Sequence, residues 1–213
     1  MKSINVILPF ISWILSFIAA GFVLIRYSKK KGTHQLVWGL GLIMYGLGSF
    51  CEAFFGAFGW SSIIFRLWYL FGAILVAAWL GQGTMYLLLA KKVAHILMAL
   101  LVAASIFGLI RVFTADLDPE MLTSSARTGS ELSGHAIVTP GVRLLTPFFN
   151  LYGTIALVGG AFWSAWVFFR KRNYYTGPLA TYSSPAVQYS RLLAAHLAGW
   201  ASQTRCISAR FWE

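Results

Sequence analysis

Charge is scarce in this chain of 213 residues: Asp, Glu, Lys and Arg together make up 11% of it, against roughly 25% in a soluble domain. Acids are scarcest, at 6. With 58% hydrophobic residues and a mean hydropathy of +0.70, the chain has more apolar surface than one buried core can hide. A folded chain of this length still leaves about a quarter to a third of its surface exposed. A water-soluble fold is therefore excluded, and contact with lipid accommodates the excess.

Chemistry-bearing patterns are equally scarce. The two cysteines, Cys51 and Cys206, make neither a disulfide framework nor a metal-ligand spacing. There is no Gly-rich phosphate loop, no His-Glu-x-x-His and no Gly-x-Ser-x-Gly. None of His34, His95, His135 and His196 lies in the middle of an apolar run, which argues against bis-histidine haem. No lysine lies deep in such a run, so a retinal Schiff base has no attachment point. The acidic run Asp116, Asp118, Glu120 hints at calcium, but an EF-hand count puts Met121 and Arg127 where Gly and Glu are needed. No cofactor is expected, and no catalytic motif supports an enzyme.

What is present is length of apolar chain. About 20 residues at ~1.5 Å each cross a ~30 Å hydrocarbon layer. Five runs qualify, at residues 4–25, 36–58, 63–89, 93–113 and 144–169. The first has a signal-peptide look, with Lys2 ahead of it and Ala19, Ala20 and Gly21 inside. It runs on to Ile25, however, and meets Arg26, Lys29, Lys30 and Lys31, which fits a retained helix better. The expected fold is all-α: a polytopic transmembrane bundle of five spanning helices with a non-spanning C-terminal tail.

Basic residues set the expected orientation. Arg26, Lys29, Lys30, Lys31, Lys91, Lys92, Arg170, Lys171 and Arg172 fall on one side of the bundle. Lys2, Arg66, Arg111, Arg127 and Arg143 fall on the other, with the loop 114–142 that carries Asp116, Asp118, Glu120 and Glu131. The richer side should be cytoplasmic, which places the chain in the cell membrane with its N-terminus outside and C-terminus inside. The loop, rich in Ser, Thr and Gly, reads as mobile. Asp118 before Pro119 suits the cap of a short helix.

Every span carries small residues four apart, such as Ser12, Ser16 and Ala20, or Ser49, Ala53 and Ala57, or Ala156, Gly160 and Ser164. Such ladders let helices approach closely in lipid. They favour a compact bundle and offer faces to other membrane subunits; nucleic acid is not an expected partner, since the basic residues follow the membrane pattern.

Glu52 is the only acid inside a span, where an ionisable group is costly unless it is paired or wet. If the second and third spans turn near Trp60, Glu52 and Arg66 lie about 12 and 9 Å below one surface and can meet. Gly48 and Gly56 sit one turn to either side of Glu52 and leave room for a helix or a small ligand. Arg111, Arg143 and Asn150 point to the same outer half. Two readings are open for Glu52, Arg66, Arg111, Arg143 and Asn150: a structural ion pair with arginines at headgroup level, or an anion-attracting pocket. Gln82 and Tyr86 read as an interhelical contact, His95 as interfacial, and Trp68 among the aromatic belt and packing residues.

From 173 to 213 the composition changes to Ser, Ala, Tyr and Arg. One reading is a tail on the inner membrane surface, with residues 191–203 as a short helix presenting Leu193, Leu197 and Trp200. The other is a tail translated out of frame, whose offset frame reads as Gly-rich and apolar and would begin further helices. The expected function is a membrane protein of sensing or small-molecule or ion transport type. Its rival is a structural or assembly subunit of a larger membrane complex.

Overall fold

The computed structural model describes residues 2–59, 61–123 and 134–174. It is an all-α bundle built from α1 (Lys2–Lys30), α2 (Thr33–Phe58), a third span described below, α5 (Lys91–Thr114), a short α6 (Pro119–Thr123) and α7 (Val142–Tyr174). By contacts the chain divides into Met1–Trp163 and Ser164–Glu213. The first unit holds everything discussed below. Of the second, the described part is the end of α7, where the Arg170 guanidinium lies over the Trp166 ring.

The third span is composite: α3 (Ser62–Trp68), a π-helical segment (Tyr69–Leu75) and α4 (Val76–Leu88). Among the described residues five helices are long and apolar enough to cross a membrane, and this is a membrane protein. Most run a few residues past the apolar runs of the sequence. The extra turns lie where backbone hydrogen bonding inside the helix is still favourable although the side chains are polar. At the end of α1, for example, Lys29 and Lys30 also complement the helix dipole.

Tight connections make successive spans antiparallel. Lys31 adopts the left-handed conformation (φ 52°), and its N–H donates to the Tyr27 carbonyl at 2.7 Å to stop α1. Gly59, at φ 86°, closes α2 in the same manner against Phe55. Ser61 then caps α3, its hydroxyl accepting from the Ile64 N–H. Trp60, where the sequence places the turn, lies outside the described residues. Leu89 and Ala90 join α4 to α5.

The core gathers at the end of the bundle that bears the long loop. Phe65, Tyr69, Leu70, Ile74 and Ala78 of the third span pack with Leu101 and Val112 of α5 and Val142 and Phe149 of α7. Ala115, Ala136 and Ile137 of the loop are part of that core, and Ala136 is fully buried. The loop's two flanks hold each other through an isolated antiparallel bridge between Leu117 and Ile137. Asp118 N–H donates to Ala136 at 2.9 Å and Val138 N–H to Asp116 at 3.0 Å. The expectation of a mobile loop is corrected for these flanks, because their few apolar residues complete the core; residues 124–133 lie outside the described residues. Asp118 does cap α6, accepting from the Glu120 N–H at 2.9 Å.

Elsewhere the polarity is that of a protein in lipid. Ile7, Leu8 and Phe22 of α1, Leu100, Ile106 and Phe107 of α5, and Phe148 and Phe162 of α7 all face outward. Ser16, Ala20, Ser49, Ala53, Ala156 and Gly160 of the small-residue ladders turn inward instead, while Ala57 and Ser164 at the ladder ends are exposed. A Cβ on Gly81 would stand 2.9 Å from that of Ala156, and one on Gly153 would collide with Ala77 backbone. The third span and α7 thus touch backbone to backbone.

Candidate functional site

Glu52 sits half-buried on α2, two turns from its loop end. One turn further in, a Cβ on Gly48 would lie 2.9 Å from the Cα of Gly72, so α2 and the π-helical segment meet there without side chains between them. Trp68 lies one turn from Gly72 and lays its indole along this seam, with Nε1 3.9 Å from where a Gly72 Cβ would be. From that position the indole is the polar neighbour of the Glu52 carboxyl. The room foreseen beside Gly48 and Gly56 is filled, by Gly72 and by the Val6 side chain of α1 respectively.

Arg66 goes elsewhere. Its Nη1 donates to the Val112 carbonyl and its Nη2 to that of Ala115, the latter at 2.8 Å. These carbonyls stand at the C-terminal end of α5, where the last turn has acceptors without intrahelical partners and the helix dipole favours a cation. Arg66 is therefore the cap of α5. Trp68 is two residues further along, or about 200° round the helix, so the two side chains leave the third span on opposite faces. Among the described residues no ion pair joins Glu52 to Arg66. The depths inferred from sequence are compatible, but the helix rotation is not.

The remaining members of the cluster follow Arg66. Arg111 donates through Nη2 to the Pro140 carbonyl at 3.1 Å, and Arg143 Nη2 lies 3.3 Å from His135 Nδ1. Asn150 reaches from α7 into the π-helical segment, its Nδ2 donating to the Ala73 carbonyl at 3.1 Å. A π turn displaces the ordinary i to i+4 pairing, and a neighbour's amide is well placed to satisfy the carbonyl it leaves. Beside it the Tyr69 and Thr146 hydroxyls hydrogen-bond at 2.8 Å. The five residues named from sequence thus divide. Arg66, Arg111, Arg143 and Asn150 tie the third span, α5, α7 and the loop together; Glu52 stands on the other face with Trp68.

A second polar group was only half visible in the sequence. Gln82 is fully buried, donates to the Ala94 carbonyl at 2.8 Å and accepts from the Tyr152 hydroxyl. It links α4, α5 and α7. Tyr86, one turn further along α4, makes its own interhelical contact with His95 Nδ1 of α5 at 2.9 Å near the basic end. Trp38 and Trp79 donate their indole N–H groups to the Leu80 carbonyl and the Ser105 hydroxyl. The available signal was an indole or amide type inside an apolar run, which needs a partner there. Among the described residues no three His, Cys, Asp or Glu side chains gather as a metal site would require. No known protein family, curated protein or solved structure matches the chain.

Proposed function

We propose that this multi-pass protein is of the sensing or small-molecule or ion transport type, with Glu52 as its responsive group. The observation that carries the reading is a lone acid within a span, with a neutral indole as its polar neighbour, at a glycine–glycine seam beside a π-helical segment. An acid so placed is costly, and residues of this kind in membrane helices are commonly functional. Its charge favours a proton or small cation as the species sensed. The backbone contact of Gly153 with Ala77 leaves no room for a path between the third span and α7, which favours sensing over transport. In this reading Arg66 and Asn150 hold the frame, and Arg111 and Arg143 face the loop-side surface. The nine-to-five basic asymmetry supports a cell-membrane location with the N-terminus outside.

The test is thermal unfolding of the purified chain with sodium, calcium and small organic amines. One of these should raise the Tm by about 5–10 °C at hundredfold excess over its dissociation constant. Glu52→Gln should remove that rise and leave the unliganded protein folded. Loss of assembled protein on this substitution would instead give Glu52 a structural role. The second reading, an assembly subunit, draws on Gly21 of α1 and Gly159 of α7, where an added Cβ would meet nothing within 4 Å. Stoichiometric copurification of another membrane protein, lost on Gly159→Leu, would favour it.

A further inference from the structure

The surface between α5 and α7 is indented. The helices are in contact near their loop ends, where Leu145 comes within 4.0 Å of where a Gly108 Cβ would be. Further in, Ala104 is too small to fill the gap to α7, and a cavity of about 250 Å³ results. Leu97, Leu101 and Ala104 line one side; Phe148, Phe149 and Tyr152 line the other. The Tyr152 hydroxyl is fixed by Gln82, so this wall is preformed. Leu100 and Phe148 stand at the rim, 63% and 69% exposed.

The position of the cavity in the bilayer matters as much as its lining. Ala104 lies about 10 Å along α5 from Arg111, Leu97 about 21 Å, and Phe148 about 8 Å along α7 from Arg143. The cavity therefore begins in the hydrocarbon of the loop-side leaflet and reaches past the midplane at Leu97, with Arg111 and Arg143 at the loop-side ends of the two helices that line it. Arg111 and Arg143 meet the Pro140 carbonyl and the His135 ring, each engaging one amine of a group with five N–H donors. Among the described residues neither is paired with Asp116, Asp118 or Glu120.

We infer that this groove holds one phospholipid with an anionic headgroup, its phosphate on Arg111 and Arg143 and an acyl chain along Leu97, Leu101 and Phe149. The occupant has to be apolar over most of its length and negative at one end. A helix from a second copy fits poorly, because membrane helices dock through small residues and this rim presents Leu100 and Phe148. The site is separate from Glu52 and does not depend on the function proposed for that residue.

The experiment is native mass spectrometry of the full chain in detergent with dioleoyl phosphatidylglycerol or dioleoyl phosphatidylcholine, with thermal unfolding as the second readout. One phosphatidylglycerol per chain should be retained, at least tenfold in preference to phosphatidylcholine. Replacing Arg111 and Arg143 with Gln should weaken its retention about fivefold for each arginine, a surface cation being worth roughly 1 kcal/mol against an anionic lipid. R111K with R143K should keep most of the preference, and A104W, which fills the groove, should abolish retention of both lipids. Equal retention of the two lipids by the unmodified chain would overturn the inference. So would an unchanged preference after the Gln substitutions, or glycerol phosphate stabilising the protein as well as the whole lipid does.

Discussion

The two faces of the third span treat charge in opposite ways. On one, Arg66 donates to two carbonyls at the end of α5, and the residues it binds, Val112 and Ala115, are 1% and 2% exposed. On the other, Glu52 has one indole as its polar neighbour and a glycine seam. A cation at a helix C-terminus meets acceptors and a dipole that the backbone already supplies. An acid on a helix flank in lipid meets no such donors and depends on what a neighbouring side chain offers. The first arrangement fastens the bundle; the second leaves a group whose environment can change.

That contrast orders the expected effects of substitution. Arg66→Ala should be the most damaging, since it leaves two buried carbonyls without a charged donor; roughly 3 kcal/mol or more of stability should go. Thermal unfolding checks this, and Arg66→Lys, which can restore one of the two bonds, should fall between. Gly72→Leu comes next. It forces α2 and the π-helical segment apart at Gly48, at a cost of about 1–3 kcal/mol, and Trp68 should become accessible to an aqueous quencher when the other tryptophans are replaced by Phe.

Gln82→Leu should cost about 0.6–1.7 kcal/mol, the range for hydrogen bonds between membrane helices. It also frees the Tyr152 hydroxyl, so Gln82→Leu with Tyr152→Phe should be less damaging than the sum of the two single changes. Glu52→Gln should be the mildest, under about 1 kcal/mol, because the amide keeps Trp68 as its polar neighbour and a charge is removed from lipid. If Glu52→Gln proves as destabilising as Arg66→Ala, the contrast between the faces is lost.

Much of this arrangement could be read from the residues. The spans follow from apolar length and from clusters such as Lys29, Lys30 and Lys31 that end them. The depths of Glu52 and Arg66 follow from rise per residue alone. Rotation does not, because it depends on which small residues meet: Gly48 with Gly72 turns Glu52 toward Trp68 and sends Arg66 toward α5. The π-helical segment has no sequence mark beyond Gly72, since its extra residue per turn is settled by packing and by Asn150. Loop order was obscured because Ala136 and Ile137 are a short apolar patch among Ser, Thr and Gly, whose burial is decided by the pocket they enter. The tail at 173–213, read as a surface segment or an out-of-frame product, lies outside the described residues from 175 on; Asn173 and Tyr174 end α7.

The division of the two charges is tested most directly by a double-mutant cycle of Glu52→Gln and Arg66→Gln, with stability measured for both single variants and the double. Side chains on two different helices, α2 and α3, that engage opposite faces of the third span and have no shared partner should act additively to within about 0.5 kcal/mol. A coupling energy well above that, of about 1–3 kcal/mol, would mean that Glu52 and Arg66 form an ion pair after all and would contradict the separation of the two faces.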